Sequence, residues 1–206
     1  MIKTTIFTLT ILLLSLSISK GQTTKKAYVD NKSVIETKDG GLLIFNNFNK
    51  LDLFFYIDYK GGTVKTTERQ NVFFVNETML QVLALDKKKF EGKNDIEVLK
   101  NQAQPEIDYI SDYIKTKLKV KFETIQIGKR TDCLLWSYEM PEKVSKEVKS
   151  QLYISFIHKD AIVGVNIAQF SNQSFEEVLD FLKKLVENIE FSDERITLEY
   201  LCNKRK

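Results

Sequence analysis

Histidine occurs once in this chain of 206 residues, at His158. That count alone excludes His-rich metal sites and zinc motifs built on paired imidazoles. Cysteine is confined to Cys133 and Cys202, and proline occurs only twice, so the chain is not linker-rich. A G-x-S-x-G nucleophile elbow, a phosphate-binding glycine loop and a dinucleotide fingerprint are all missing. The stretch "YKGGTVKT" (59–66) has two glycines and a lysine without the spacing that cradles phosphate, and it reads as a strand-connecting turn. Internal repeats and low-complexity tracts are missing too.

Long apolar runs are represented by one segment, Ile6 to Ile18, behind Lys3 and interrupted by Thr8, Thr10, Ser15 and Ser17. Thirteen helical residues rise only about 20 Å, short of the ~30 Å hydrocarbon core of a bilayer, so a stable transmembrane anchor is not expected. Ser19 and Gly21 supply the small residues that a signal peptidase requires for a cut before Gln22. Residues 1–21 are therefore read as a signal peptide and 22–206 as a single α+β domain, exported to a periplasmic or secreted location. No cysteine follows the cut, which removes lipid attachment there.

Charge of one sign is also lacking. The full chain carries a net +3, and because Lys3 and Lys20 leave with the signal peptide the remainder carries only +1. Nucleic-acid binding needs clustered positive charge to replace condensed counterions, so that partner class is excluded. With 43% apolar and 11% aromatic residues the chain suits an ordered globular fold.

What is present is a regular succession of strands and helices. Ser33–Thr37 and Gly41–Asn46 flank "KDGG", where glycine permits the positive φ of a tight hairpin. "LDLFFYIDY" (51–59), "NVFFVNE" (71–77) and "MLQVLALD" (79–86) read as strands. From Asn94 the apolar spacing turns helical through Ile107, Ile110, Ile114 and Leu118. One helix, or two meeting at Pro105, is predicted to end near Lys119. "VKFETIQIG" and "TDCLLWSYEM" bracket Lys129-Arg130. In the second, Leu134, Trp136, Tyr138 and Met140 share one parity and Cys133 and Leu135 the other, so both faces of that strand are at least partly buried. "SQLYISFI" and "AIVGVNIAQF" enclose "HKD" as a hairpin. Ser174 stands three residues before Glu177 as in a capping box, and Phe175, Val178, Leu179, Leu182, Leu185, Val186 and Ile189 form an apolar stripe. That helix should lie across the sheet, with a further edge strand through "RITLEYL".

Hairpin-connected strands with helices on their faces make an α+β sandwich, an antiparallel β-sheet packed by helices. The consecutive hairpins up to Phe170 and the closing "SFEEVLDFLKKLVENIEF", a helix delivering the chain to a final strand, resemble the PsbP-like superfamily. That resemblance covers about half of the mature chain and implies a PsbP-like αβα sandwich. It also implies a binding or assembly role, with no catalytic constellation to carry over.

The candidate sites are few. In an oxidising compartment Cys133 and Cys202 allow one disulfide, and closing its loop of about 70 residues stabilises a fold by roughly 4 kcal/mol on the chain-entropy model. Sequence leaves open a bridge, two inert thiols, or a reactive Cys133 deprotonated by His158 as in a thiol-dependent hydrolase or oxidoreductase. "HKD" itself reads as a hairpin turn with a solvated imidazole. Glu139 with Glu142, and Asp108 with Asp112, read as solvated faces rather than acid–base pairs. "KTKLKVK" (115–121) alternates lysine with other residues at a helix end and strand start. Lys115, Lys117, Lys119 and Lys121 are thereby offered to an acidic partner, an anionic glycan or a lipid headgroup. Asn31, Asn76 and Asn172 fit the N-glycosylation pattern. The leading expectation is a non-catalytic binding or assembly factor of the envelope or periplasm, with a protein or envelope partner and neither metal nor cofactor. The alternatives are the Cys133 enzyme and an immunity-like protein that blocks a toxin.

Overall fold

The structure is a computed structural model that describes residues 32–37, 40–46, 50–69, 71–76, 78–197 and 199–201. Residues 1–21, read above as a signal peptide, and Asn31 and Cys202 lie outside the described residues.

The chain is α+β, with two antiparallel sheets. The smaller is built from β1 (Lys32–Thr37), β2 (Gly40–Asn46), β3 (Phe54–Lys60) and β11 (Ile189–Ser192), in the order β1-β2-β3-β11. The larger contains β4 (Val64–Thr66), β5 (Val72–Val75), β6 (Thr78–Asp86), β7 (Val120–Ile127), β8 (Arg130–Glu139), β9 (Val148–His158) and β10 (Ala161–Phe170), in the order β4-β5-β6-β10-β9-β8-β7. Gly40 has φ +147°, and a Cβ there would collide with the Tyr59 carbonyl, so the first glycine of "KDGG" is required by its neighbour strand. Gly128, at φ +55°, supplies the positive φ of the two-residue β7–β8 turn.

Two helices cover opposite faces of the large sheet. α1 (Asp95–Ile114) starts at Asn94, whose side chain accepts from the Glu97 amide. It is one helix that runs through Pro105, and it stops earlier than predicted. Lys115 takes a left-handed conformation at φ 51° and its N–H closes on Ser111 and Asp112. The Leu118 amide then donates to the Ser111 hydroxyl, which commits the following lysines to extended chain. α2 (Phe175–Glu187) begins with the expected capping box between Ser174 and Glu177.

Alternation along the strands sorts the core. Cys133, Leu135, Leu152, Ile154, Val163 and Val165 face α2 and the small sheet, together with Phe45, Phe55, Val178, Leu182 and Leu185. Leu134, Trp136, Tyr138, Tyr153 and Ile162 face α1 and its Val98, Leu99, Ala103 and Ile110. Both faces of β8 are thus buried, as its two parities require.

Three expectations need correction. Val64–Thr66 of "YKGGTVKT" is a short strand rather than only a turn, because it pairs with β5 beyond the bend at Gly61-Gly62. Ile189 ends the stripe of α2 in sequence but opens β11, which pairs with β3. No strand forms in the described part of "RITLEYL". The Asn46 side-chain amide occupies both backbone groups of Ile196 instead, donating to its carbonyl at 3.0 Å and accepting from its N–H at 2.8 Å. Ile196 and Leu201 then pack on Leu42, Ile44 and Tyr56, covering the outer face of the small sheet.

Candidate functional site

The predicted basic patch leads into the β7 edge of the large sheet: Lys115 caps α1, Lys117 and Lys119 lie in the link, and Lys121 alone lies in the strand. Lys115, Lys117, Lys119 and Lys121 are all exposed, while Leu118 between them is buried and Val120 is half-buried. That alternation anchors the segment through its apolar residues and leaves its ammonium groups in solvent. Among the described residues none of the four is held in an ion pair. β7 pairs with β8 on one side only, so its other side is an open edge among the described residues. Phe122 on this strand is 38% exposed, with the Lys100 ammonium 6.0 Å from its ring centre. The site combines exposed cations, an exposed ring and unpaired main-chain groups.

A second feature lies where the β7–β8 turn meets the end of α2. A cavity of about 470 Å³ is lined by Lys129, Arg130, Phe156, His158, Glu187 and Phe191 among others. Arg130 is committed to structure. It donates to the carbonyls of Glu187, which ends α2, and Ile189, which opens β11, and its guanidinium lies 4.9 Å from the Phe156 ring centre. A cation bonded to the last carbonyls of a helix offsets their partial negative charge. His158 is not the solvated turn residue that "HKD" suggested. It ends β9, half-buried, with its ring stacked on Phe191 at 3.6 Å and 6°. Burial, then Lys159 and Arg130, lower its pKa, while Asp193 acts the other way. The turn itself is Lys159-Asp160, where Lys159 takes φ 53°.

Cys133 is fully buried in the inter-sheet core, its thiol 4.0 Å from the Arg130 carbonyl. Burial pushes the thiol up to about 11, against the pull of Arg130 and with a further push from Asp132. Among the described residues Cys133 is free; its predicted partner Cys202 lies outside them. The paired acids fall on solvated positions: Asp108, Asp112, Glu139 and Glu142 are all exposed, and Asp108 accepts from Gln104. Asn76 spends its amide on Tyr59 and Thr63, and Asn172 is exposed.

Sequence reasoning passed over one acid. Glu106 faces inward from α1, is 9% exposed, and has its carboxyl pushed up to about 7 by burial, with Tyr153 opposing that shift. The signal was available, because Glu106 falls between Ala103 and Ile107 on the apolar stripe of its helix.

The fold and these features define an α+β chain of two antiparallel sheets with a lysine-bearing open edge. No family model and no curated protein matches the chain. Among solved structures it is similar to the solution structure of cyanobacterial PsbP (CyanoP) from Synechocystis sp. PCC 6803, with 8% identity and a TM-score of 0.45 over 73% of this chain and 92% of that one.

Proposed function

We propose that this chain is an exported, non-catalytic binding or assembly factor of the envelope or periplasm. It takes a protein partner at the start of β7, by an acidic segment in extended conformation. The observation that carries this reading is the run of four exposed, unpaired lysines leading into an open strand edge, with Lys121 in the strand itself. An added strand would satisfy the unpaired main-chain groups of β7, and its carboxylates would meet the ammonium groups. Phe122 supplies an apolar contact beside them. Cys133 supports the same reading from the other side, because a buried thiol with a raised pKa is a poor nucleophile at neutral pH.

The test uses the mature chain and a peptide of alternating glutamate and valine as probe, alongside capture from an envelope extract. Replacing Lys115, Lys117, Lys119 and Lys121 with glutamate should weaken both at least tenfold, leave the circular dichroism unchanged and abolish the salt dependence of peptide binding. Equal capture by the variant would remove this edge as the site. A captured toxin domain would move the reading to the immunity-like class.

A further inference from the structure

Beneath α1 the large sheet carries a polar layer. Gln102 and Glu106 lie one turn apart on the buried face of the helix, and Trp136, Tyr138, Gln151 and Tyr153 lie opposite them on β8 and β9. Trp136 stacks on Tyr153 with ring centres 3.6 Å apart, and Gln151 stands beside Tyr138 in register. Five buried polar atoms here find no partner among the protein groups: Gln102 Oε1, Glu106 Oε1, Trp136 Nε1, the Tyr138 hydroxyl and Gln151 Nε2. Native interiors leave few such atoms, and their concentration in one helix–sheet contact sets it apart.

The titratable groups that face Glu106 are Tyr138 from β8 and Tyr153 from β9, and no cation acts on it. A carboxylate in that position would be desolvated, with the Tyr153 hydroxyl as its one donor and no counter-ion among the described residues, whereas a neutral carboxyl can both donate and accept among the surrounding amide and hydroxyl groups. Pro105 adds a mechanical element. It lacks the N–H that would bond back along α1, so the helical ladder is interrupted beside Glu106.

We propose that α1 is a proton-linked latch: the neutral carboxyl of Glu106 holds the helix against β8 and β9, and release of its proton to solvent loosens that contact. Loosening exposes the Trp136–Tyr153 stack and lets the orphaned polar atoms reach water. The raised pKa of Glu106, near 7, places the event within a range that an exported protein meets.

Trp136 is the only tryptophan in the chain, so selectively excited tryptophan emission reports on this contact alone. The mature chain is titrated from about pH 5.5 to about pH 8.5, a range that brackets an unperturbed histidine and lies above an unperturbed glutamate. Amide hydrogen exchange of α1 is followed in parallel and corrected for its intrinsic pH dependence. The expected result is a sigmoidal red shift of Trp136 emission centred near pH 7, with α1 amides losing at least tenfold in protection while those of α2 and β3 hold. Glu106→Gln keeps the shape without the ionisation and should hold the low-pH spectrum throughout. Glu106→Met serves the same purpose if the glutamine variant does not fold. A transition that persists in either folded variant overturns the proposal, as does a wild-type chain whose emission and α1 protection stay flat.

Discussion

The two faces of the large sheet are made by alternate residues of the same strands, yet they are finished differently. On the face toward α2, the buried Ser150 and Gln169 side chains are paired. The Ser150 hydroxyl bonds Gln169 Oε1 at 2.6 Å, and Gln169 Nε2 donates to the Gln173 carbonyl. On the opposite face Asn166 donates to Gln81 at 3.0 Å away from the helix, but the five orphaned atoms collect where α1 sits. A helix that packs over satisfied groups gains from every buried contact, whereas one that packs over orphaned groups gives part of that gain back. The α2 face is therefore the part of the molecule that fixes the fold, and the α1 face is the part that can respond to conditions.

The comparison is broken most severely by damaging the α2 face. Phe55 is fully buried, stacked on Phe45 at 4.5 Å, with Phe45 in turn edge-on to Phe73 at 5.5 Å. Phe55→Ala should cost about 3–5 kcal/mol of unfolding free energy, read from the shift in urea midpoint at constant slope. A loss below about 1 kcal/mol, small for any buried phenylalanine, would mean that the two sheets are not joined through this core.

The next largest effect belongs to Glu106 and has a definite sign. Its folded pKa, about 7, lies above the ordinary 4.5, so the native state holds a proton that the unfolded chain releases. Stability from this group is full below about pH 4.5 and is lost as pH rises to about 7, after which the loss stays constant. A displacement of that size corresponds to about 3 kcal/mol. His158, whose pKa is lowered, acts in the opposite sense, favouring the folded state as pH rises toward the ordinary value of 6.5. Urea unfolding of wild type should therefore show stability falling between about pH 5 and about pH 8 by less than the full Glu106 amount. Glu106→Gln should show only the rise due to His158. A fall of equal size in the variant would assign the dependence to another group.

Most of the architecture was legible because it follows from periodicity. The two parities of β8, the capping box at Ser174 and the strand pairing on either side of "KDGG" and "HKD" all appear as read, although the second turn is Lys159-Asp160 alone. What escaped has a common physical cause: it depends on contacts between residues far apart in the chain. Asn46 diverts Ile196 from a strand across 150 positions, and the stack of His158 on Phe191 turns an expected surface imidazole into a half-buried one. The end of α1 at Lys115 was hidden for a different reason, since a left-handed lysine carries no compositional mark of the kind that glycine would. Glu106 was overlooked because an acid amid apolar neighbours is normally swung into solvent, and only the surrounding tyrosines and glutamines make its burial tolerable.

The smallest effect is the sharpest discriminator between the faces. Ser150→Ala and Tyr138→Phe each remove one buried hydroxyl, and a count of polar atoms would rank them alike. Ser150 has a partner, so its loss leaves Gln169 Oε1 without that bond in a dry core, at about 1–3 kcal/mol. The Tyr138 hydroxyl is buried and meets no hydrogen bond of good geometry, with Tyr153 its nearest polar neighbour, so its removal takes away a desolvation penalty and costs at most a weak contact to Tyr153. Tyr138→Phe should therefore leave stability within about 0.5 kcal/mol of wild type, or raise it, at a pH low enough to keep Glu106 neutral. If the two variants lose stability equally, the Tyr138 hydroxyl is bonded in solution, and the contrast between the two faces rests on fewer groups than the five named.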